Sequence, residues 1–188
     1  NSRPRIVHKV IFTLAGDHGV TQEGVSAYPS EVTPQMVYNF LQGGAGINVL
    51  ARLVGARVVV ADLGVAVDLK HHPDLKERKV APGTRNMARG PAMNREQAIR
   101  SIEAGIELVE DEFPNEIDIL GTGDMGIGNT TSSSAITAVL TGAEVSRVTG
   151  RGTGLGRPDS SGSPNSIRMH SIPTTFPSFS TIRTGLQR

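Results

Sequence analysis

Three short apolar runs, each closing on glycine and separated by stretches of helical spacing, constrain this chain most. Ile6–Gly19 (IVHKVIFTLAGDHG) is rich in apolar and β-branched residues up to a Gly-Asp-His-Gly turn. Ala56–Val65 (ARVVVADLGV) and the segment EIDILGTG repeat the pattern. They predict buried strands near residues 8–15, 57–63 and 117–121. Met36, Val37, Phe40 and Leu41 share one face of a helix that Thr33 is expected to cap, with Pro34 in its first position. Gly43-Gly44 interrupts, and INVLARLVG continues as a second helix closed by Gly55. Asn94 opens a long third helix whose expected core face is Ala98, Ile99, Ile102, Ile106, Val109 and Phe113. Residues 66–93 are mostly irregular by this reading. A further helix runs to about Leu140, and VSRVTGRGTG carries a fourth strand end. Strands alternating with helices give βαβ units. The expected fold is therefore α/β: a Rossmann-like parallel sheet flanked by helices in three α/β/α layers.

In such sheets ligands bind beyond the carboxyl ends of the strands. The glycine-rich segments AGDHG, GTGDMGIG and GRGTG all fall at such ends. The second has four glycines in eight residues, directly before a helix that starts at NTT. Strand, glycine turn and helix start bring free backbone N–H groups to one point, which suits an anion. The same glycines equally permit close helix–sheet packing with no ligand at all. The stretch lacks the GK[ST] ending of a Walker loop. Asp124 inside it would repel a phosphate, so it serves another part of a ligand or acts as a turn residue. Asp17 and His18 admit the same pair of readings, substrate contact or structural turn. Arg85, Arg89 and Arg151 stand near glycine-rich loops, where a guanidinium meets phosphate or carboxylate.

Nineteen Lys and Arg stand against eighteen Asp and Glu in 188 residues. That balance argues against a general nucleic-acid or membrane-surface binder. Without cysteine there are no disulfides or thiolate metal sites, which fits a cytoplasmic protein. No apolar run approaches the ~20 residues of a membrane span. The chain begins NSRPRIVHKV, without Met or a signal-type apolar core, and is expected to be the interior of a longer one. From Leu155 its character changes: seven serines, four prolines and one carboxylate fall in 34 residues. Residues 155–188 are expected to be an irregular tail unrelated to a core at 1–154.

Four blocks carry a resemblance: AGDHGV…EGVSAYPSEVTPQMVYNFLQGGAGINVLA, GTRNMARGPAM, GTGDMGIGNTT and VTGRGTG. In this order and spacing they resemble the nicotinate-nucleotide–dimethylbenzimidazole phosphoribosyltransferase family, over about residues 6–154. The resemblance implies an enzyme that moves phosphoribose from nicotinate mononucleotide to dimethylbenzimidazole, giving α-ribazole phosphate and nicotinate for the lower ligand of cobalamin. It implies a homodimer and no metal or organic cofactor. It places Gly123, Gly126, Asn129, Thr130, Thr131, Gly150 and Gly152 around the phosphoribosyl group. Tyr28, Pro29, Met36 and Met125 fall at the benzimidazole pocket, and Asp17 and His18 at the family's DHG turn. Asp124 stands where the family usually has Glu, one methylene shorter, as a supporting acidic group. Past GRGTG the family continues with a further half that carries its glutamate base, and leading residues also precede this start. The chain thus resembles a fragment, its sheet incomplete at both ends. The other reading is a non-catalytic nucleotide-binding fragment of the same enzyme.

Overall fold

The computed structural model describes residues 5–149. Gly150, Arg151, Gly152 and the proposed tail at 155–188 lie outside the described residues. Four parallel strands form one sheet: β1 (Lys9–Gly16), β2 (Ala56–Gly64), β3 (Leu75–Glu77) and β4 (Ile119–Met125), in the order β3-β2-β1-β4. Lys9 of β1 pairs in register with Ala56 on one side and Ile119 on the other. The sequence-predicted strands are present. Two differences matter: β3 emerges from the segment read as irregular, and β4 runs four residues further than expected.

The pleat sorts side chains to two faces. On one, Ala15, Val58, Val60, Val65 and Met125 pack with Met36, Val37 and Phe40 of α1 (Val32–Leu41) and Ile47 of α2 (Gly46–Val54). On the other, Val10, Phe12, Leu14, Val59, Ala61 and Leu63 pack with Leu108 and Val109 of α3 (Arg95–Glu112). Helices on both sides give the three-layer α/β/α arrangement. β1 is buried on both faces, which is why its sequence is a near-continuous apolar run and does not alternate.

The helix boundaries follow local chemistry with one exception. Asn94 caps α3, its side chain accepting from Gln97 N at 2.8 Å while Gln97 Oε1 takes the Asn94 N–H at 3.0 Å. Gly55 closes α2 in the left-handed region at φ 65°. The exception is α1. It starts at Val32 with Glu31 as its cap, so neither Thr33 nor Pro34 holds the expected position. Thr33 is buried inside the first turn, and its Oγ1 accepts the Ile127 N–H at 3.1 Å. A tertiary partner takes the hydroxyl that a cap would have used.

Two further expectations fail. α3 turns mainly a different stripe inward: Ala104 and Leu108 are fully buried, and of the expected face Val109 packs on the sheet and Ala98 is half-buried, while Ile102 and Phe113 are 68% and 67% exposed and Ile99 and Ile106 are also exposed. Two apolar stripes run along this helix at three- and four-residue spacing, and only the sheet decides which one it covers. The expected fourth strand end is instead a short helix, α5 (Val145–Val148), packed against α4 (Asn129–Thr141), with Ser134 Oγ donating to the Val148 carbonyl at 3.1 Å.

Candidate functional site

The carboxyl ends of β1, β2 and β4 meet at one edge, and three sequence blocks converge there. After β1 the chain runs through Asp17 and His18 into a 3₁₀ turn, Gly19–Glu23. His18 bridges to Thr84, and Gly19 N donates to the Thr84 carbonyl at 3.1 Å. A Cβ on Gly19 would lie 2.6 Å from backbone atoms of Thr84, Arg85 and Asn86, so only glycine fits. The GTRN block is thereby pressed against the DHG turn. Asn86, buried, donates to Glu23 at 2.7 Å, and Arg89 pairs with the same carboxylate at 3.1 Å. Both arginines are exposed, but Arg89 is held by its pair with Glu23.

The third block is arranged differently from its sequence reading. Gly121, Gly123 and Asp124 belong to β4, where Gly123 pairs with Thr13 and Asp124 with Leu14 of β1. The turn itself shrinks to Gly126–Gly128. Gly128, at φ 89°, is the residue that caps α4. Asn129 is the first helical residue, and its Oδ1 accepts the Thr130 N–H at 2.8 Å. Thr131 N donates to the Gly128 carbonyl at 3.1 Å. The first donors of the helix therefore have internal partners. Thr130 is exposed at this rim, while Thr131 is buried beneath it.

Asp124 does not stand clear of the helix start, as the electrostatic argument expected. Its Oδ2 accepts from Asn129 Nδ2 at 2.6 Å. An aspartate at the end of β4 reaches the first residue of α4 directly, and the two side chains form a chain of bonds ending at the Thr130 N–H.

Asp17 and His18 lie at the centre of this edge. Asp17 is 6% exposed. Its Oδ2 accepts the Ala66 N–H at 2.8 Å, and its backbone bonds to Gly64 and Thr84 on either side. Its Oδ1 is buried with no hydrogen-bond partner among the described residues. His18 Nδ1 shares a hydrogen bond with Ser132 Oγ at 3.0 Å, tying the end of β1 to the first turn of α4. Burial pushes the His18 pKa below its ordinary value, outweighing the opposing pull of Asp17 and Asp124, so the ring is neutral at pH 7. Sequence reasoning missed Ser132 and Thr33. Each bonds a residue about ninety or more positions away, and a single sequence carries no signal for such a pair.

The expected benzimidazole-pocket residues are partly brought together. Met36 and Met125 pack in the same cluster on the α1 side of the sheet. Tyr28, 54% exposed, and Pro29 sit on the open loop before α1. Asp124 shares the opposite sheet face with Leu14, toward α3. Gly126 is buried: a Cβ there would lie 1.9 Å from the Gly16 carbonyl oxygen and 3.2 Å from His18 Nε2. Close backbone packing is by itself a sufficient reason for glycine at 126.

A parallel α/β sheet with its glycine turns gathered at the carboxyl edge defines a ligand-binding protein of the open-sheet class. The phosphoribosyltransferase family model matches residues 1–161, and the chain belongs to that family. It is 62% identical over 153 residues to a nicotinate-nucleotide–dimethylbenzimidazole phosphoribosyltransferase of Geobacter sulfurreducens, covering 81% of this chain and 44% of the relative. An enzyme of the same name from Desulforudis audaxviator is 58% identical, with 43% of its length covered. The crystal structure of CobT from Thermus thermophilus superposes with a TM-score of 0.80 at 50% identity, over 82% of this chain and 46% of that one. The chain thus spans less than half the length of these relatives.

Proposed function

We propose that this chain is the sheet-bearing part of an enzyme that transfers phosphoribose from nicotinate mononucleotide to dimethylbenzimidazole. The products are α-ribazole phosphate and nicotinate, in assembly of the cobalamin nucleotide loop. One observation carries the reading. The DHG, GTRN and GDMGIGNTT blocks, far apart in sequence, meet at one sheet edge in a chain 54–62% identical to enzymes of that name.

The chemistry asks for two things at that edge. The bond from the anomeric carbon to the pyridine nitrogen breaks as the azole nitrogen attacks, with inversion turning a β nucleotide into an α product. Nicotinate leaves from a positively charged ring and needs little acid assistance. Holding the phosphate and aligning the nucleophile supply much of the rate. The phosphoribosyl group is assigned to the β4–α4 junction, with Asn129 and Thr130 at its rim and Gly123, Gly126 and Thr131 beneath; the resemblance adds Gly150 and Gly152, which lie outside the described residues. The benzimidazole is assigned to the side of Tyr28, Pro29, Met36 and Met125. The attacking ring must also lose a proton from its second nitrogen, which calls for a carboxylate. Asp124 supports that step by charge. Because it is bonded to Asn129, we assign it a positioning role toward the phosphate rim.

The complete enzyme is proposed to be a cytoplasmic homodimer that needs no cofactor. A second reading, a nucleotide-binding fragment without catalysis, draws on the coverage: the chain spans about 44% of its relatives. Calorimetric titration of the chain with nicotinate mononucleotide, run beside a nicotinate-release assay with dimethylbenzimidazole and a relative's remaining half supplied in trans, separates the two. Binding with release supports transfer, binding alone supports the fragment reading, and no binding overturns both.

A further inference from the structure

A cavity of about 500 Å³ lies along the first half of β2, on the flank away from β1 and at the opposite end of the sheet from the glycine turns. β3 pairs only with Val60, Ala61 and Asp62, so Ala56–Val59 have no strand on that flank among the described residues. The Asp62 carbonyl faces this flank, because it accepts the Arg78 N–H at 2.9 Å. Backbone groups of successive strand residues point to opposite flanks, so Val58 and Ala56 direct their N–H and C=O the same way. The donor that would continue the β3 ladder, the Asp74 N–H, is taken by His72 Nδ1 at 3.2 Å. Two donors and two acceptors at strand spacing therefore face the cavity.

Its two walls differ. On the α1 side Phe40, Leu41 and Val58 are apolar. On the α3 side Arg57 and Lys76 share one carboxylate, Glu112, at 2.6 and 3.6 Å. The Glu112 side chain is 6% exposed, whereas Arg57 and Lys76 are 44% and 37% exposed. That wall carries one positive charge in excess, on side chains an incoming group can reach. Asp74, the other carboxylate of the cavity, is 80% exposed and lies beside His72, away from this pair.

We propose that the open edge of β2 at Ala56–Val58 docks an extended peptide segment of another protein, which adds as a strand and carries an acidic side chain between two apolar ones. Main-chain pairing to Ala56 and Val58 supplies the attachment, and the side chains supply the choice. A strand alternates its side chains, so successive residues of the segment meet the two walls in turn. The apolar ones pack on Phe40, Leu41 and Val58, and the carboxylate lies beside Arg57 and Lys76. A second copy of this chain fits less well. Pairing two β2 edges about a two-fold axis through the same groups sets two Arg57 side chains opposite one another, like charges on one face. The docking edge uses no part of the transfer reaction, so it goes beyond the activity proposed above.

The test uses the 188-residue chain with ¹⁵N and ¹³C-methyl labels. The probe is the end-blocked pentapeptide VEVEV, with VTVTV and VKVKV as neutral and basic controls. Saturable shifts are expected at the amides of Ala56 and Val58 and at the Val58 methyls, with the amides of Asp17, His18 and Ala66 unmoved. VEVEV should bind about three- to fivefold more tightly than VTVTV at low salt, and VKVKV most weakly. Lys76→Gln should remove most of the advantage of VEVEV and leave VTVTV unchanged. Val58→Pro deletes an N–H that faces the edge, where proline is tolerated, and should weaken all three peptides about tenfold or more. Lys76→Gln serves alone where Val58→Pro fails to fold. No saturable response, shifts at Asp17 and His18 instead, equal binding of the three peptides, or self-association through Val58 without a peptide response would each overturn the proposal.

Discussion

Gly126 and Gly16 meet backbone to backbone: a Cβ added to Gly126 would sit 1.9 Å from the Gly16 carbonyl oxygen. No rotamer relieves such a clash, since Gly16 ends the central strand. Gly126→Ala should cost at least about 3 kcal/mol, at the top of the range for overpacking. Gly128→Ala, strained by φ 89° and with Thr21 Cγ2 3.0 Å from the new atom, should cost about 1–2 kcal/mol. Urea unfolding of both variants checks the order. A Gly126→Ala protein as stable as the parent would mean that the turn yields freely.

His18 makes stability depend on pH near neutrality. Its folded pKa lies below the ordinary 6.5, chiefly because it is buried. The unfolded chain therefore takes up a proton first as pH falls. The folded state loses stability below about pH 6.5, until the folded pKa is passed. His18→Asn should flatten the melting temperature between pH 7 and 5. An unchanged slope in that variant would assign the dependence to other groups.

Glu112 acts at lower pH and through a different cause. Burial opposes its charge, but hydrogen bonds from Arg57 at 2.6 Å and Asn115 at 3.1 Å, with Arg57 and Lys76 nearby, hold its pKa below 4.5. A lowered carboxylate pKa stabilises the fold above the unfolded value, and that gain fades as pH falls through the folded one. Glu112→Gln should lose about 1–3 kcal/mol at pH 7 and much less at pH 3. Equal losses at both pH values would show that shape, not charge, matters there.

The two stripes of α3 can be told apart by mutation. Leu108→Ala should cost about 2–5 kcal/mol, because the side chain is fully buried against Val10, Phe12 and Ala61. Ile102→Ser, on the exposed stripe, should change stability by no more than about 0.5 kcal/mol. Denaturant midpoints for the pair decide it; comparable losses would mean that Ile102 is covered in solution.

Transfer activity is expected to be weak or absent in the 188-residue chain, and to return when a relative's remaining half is supplied in trans. Chromatographic detection of α-ribazole phosphate is the readout. Robust turnover by the chain alone would mean that a carboxylate within it, Asp124 or Asp17, suffices as base.

Much of the sheet could be read from residue order, because β1, β2 and α3 have strong local signals: apolar runs, the Asn94 cap and the Gly55 terminus. β3 escaped notice because it is only three residues long and is held by pairing with Val60–Asp62. β4 ran past its expected end because Gly121 and Gly123 look like loop residues until β1 supplies a partner. The site was legible as a place and not as a set of contacts. Asp17, His18, Asp124 and Asn129 lie at one edge as the glycine blocks suggest. Their bonds to Ser132, to Ala66 and to each other follow from the turn geometry, and residue type alone does not encode that.

Of the four described strands, β1 lies inside the sheet and is synthesised before both strands that pair with it. β1 collects β2 on one flank and β4 on the other, and the bond from Val7 N to Asp118 Oδ2 closes a span of 111 residues. Contacts of such separation delay assembly, since the entropy of closing the loop is lost before pairing repays it. On a ribosome adding roughly 5–20 residues per second, β1 waits several seconds for its second neighbour. Its apolar surface must be shielded during that interval. The order in which the strands emerge thus fixes how long that surface stays uncovered, whatever the stability of the finished fold.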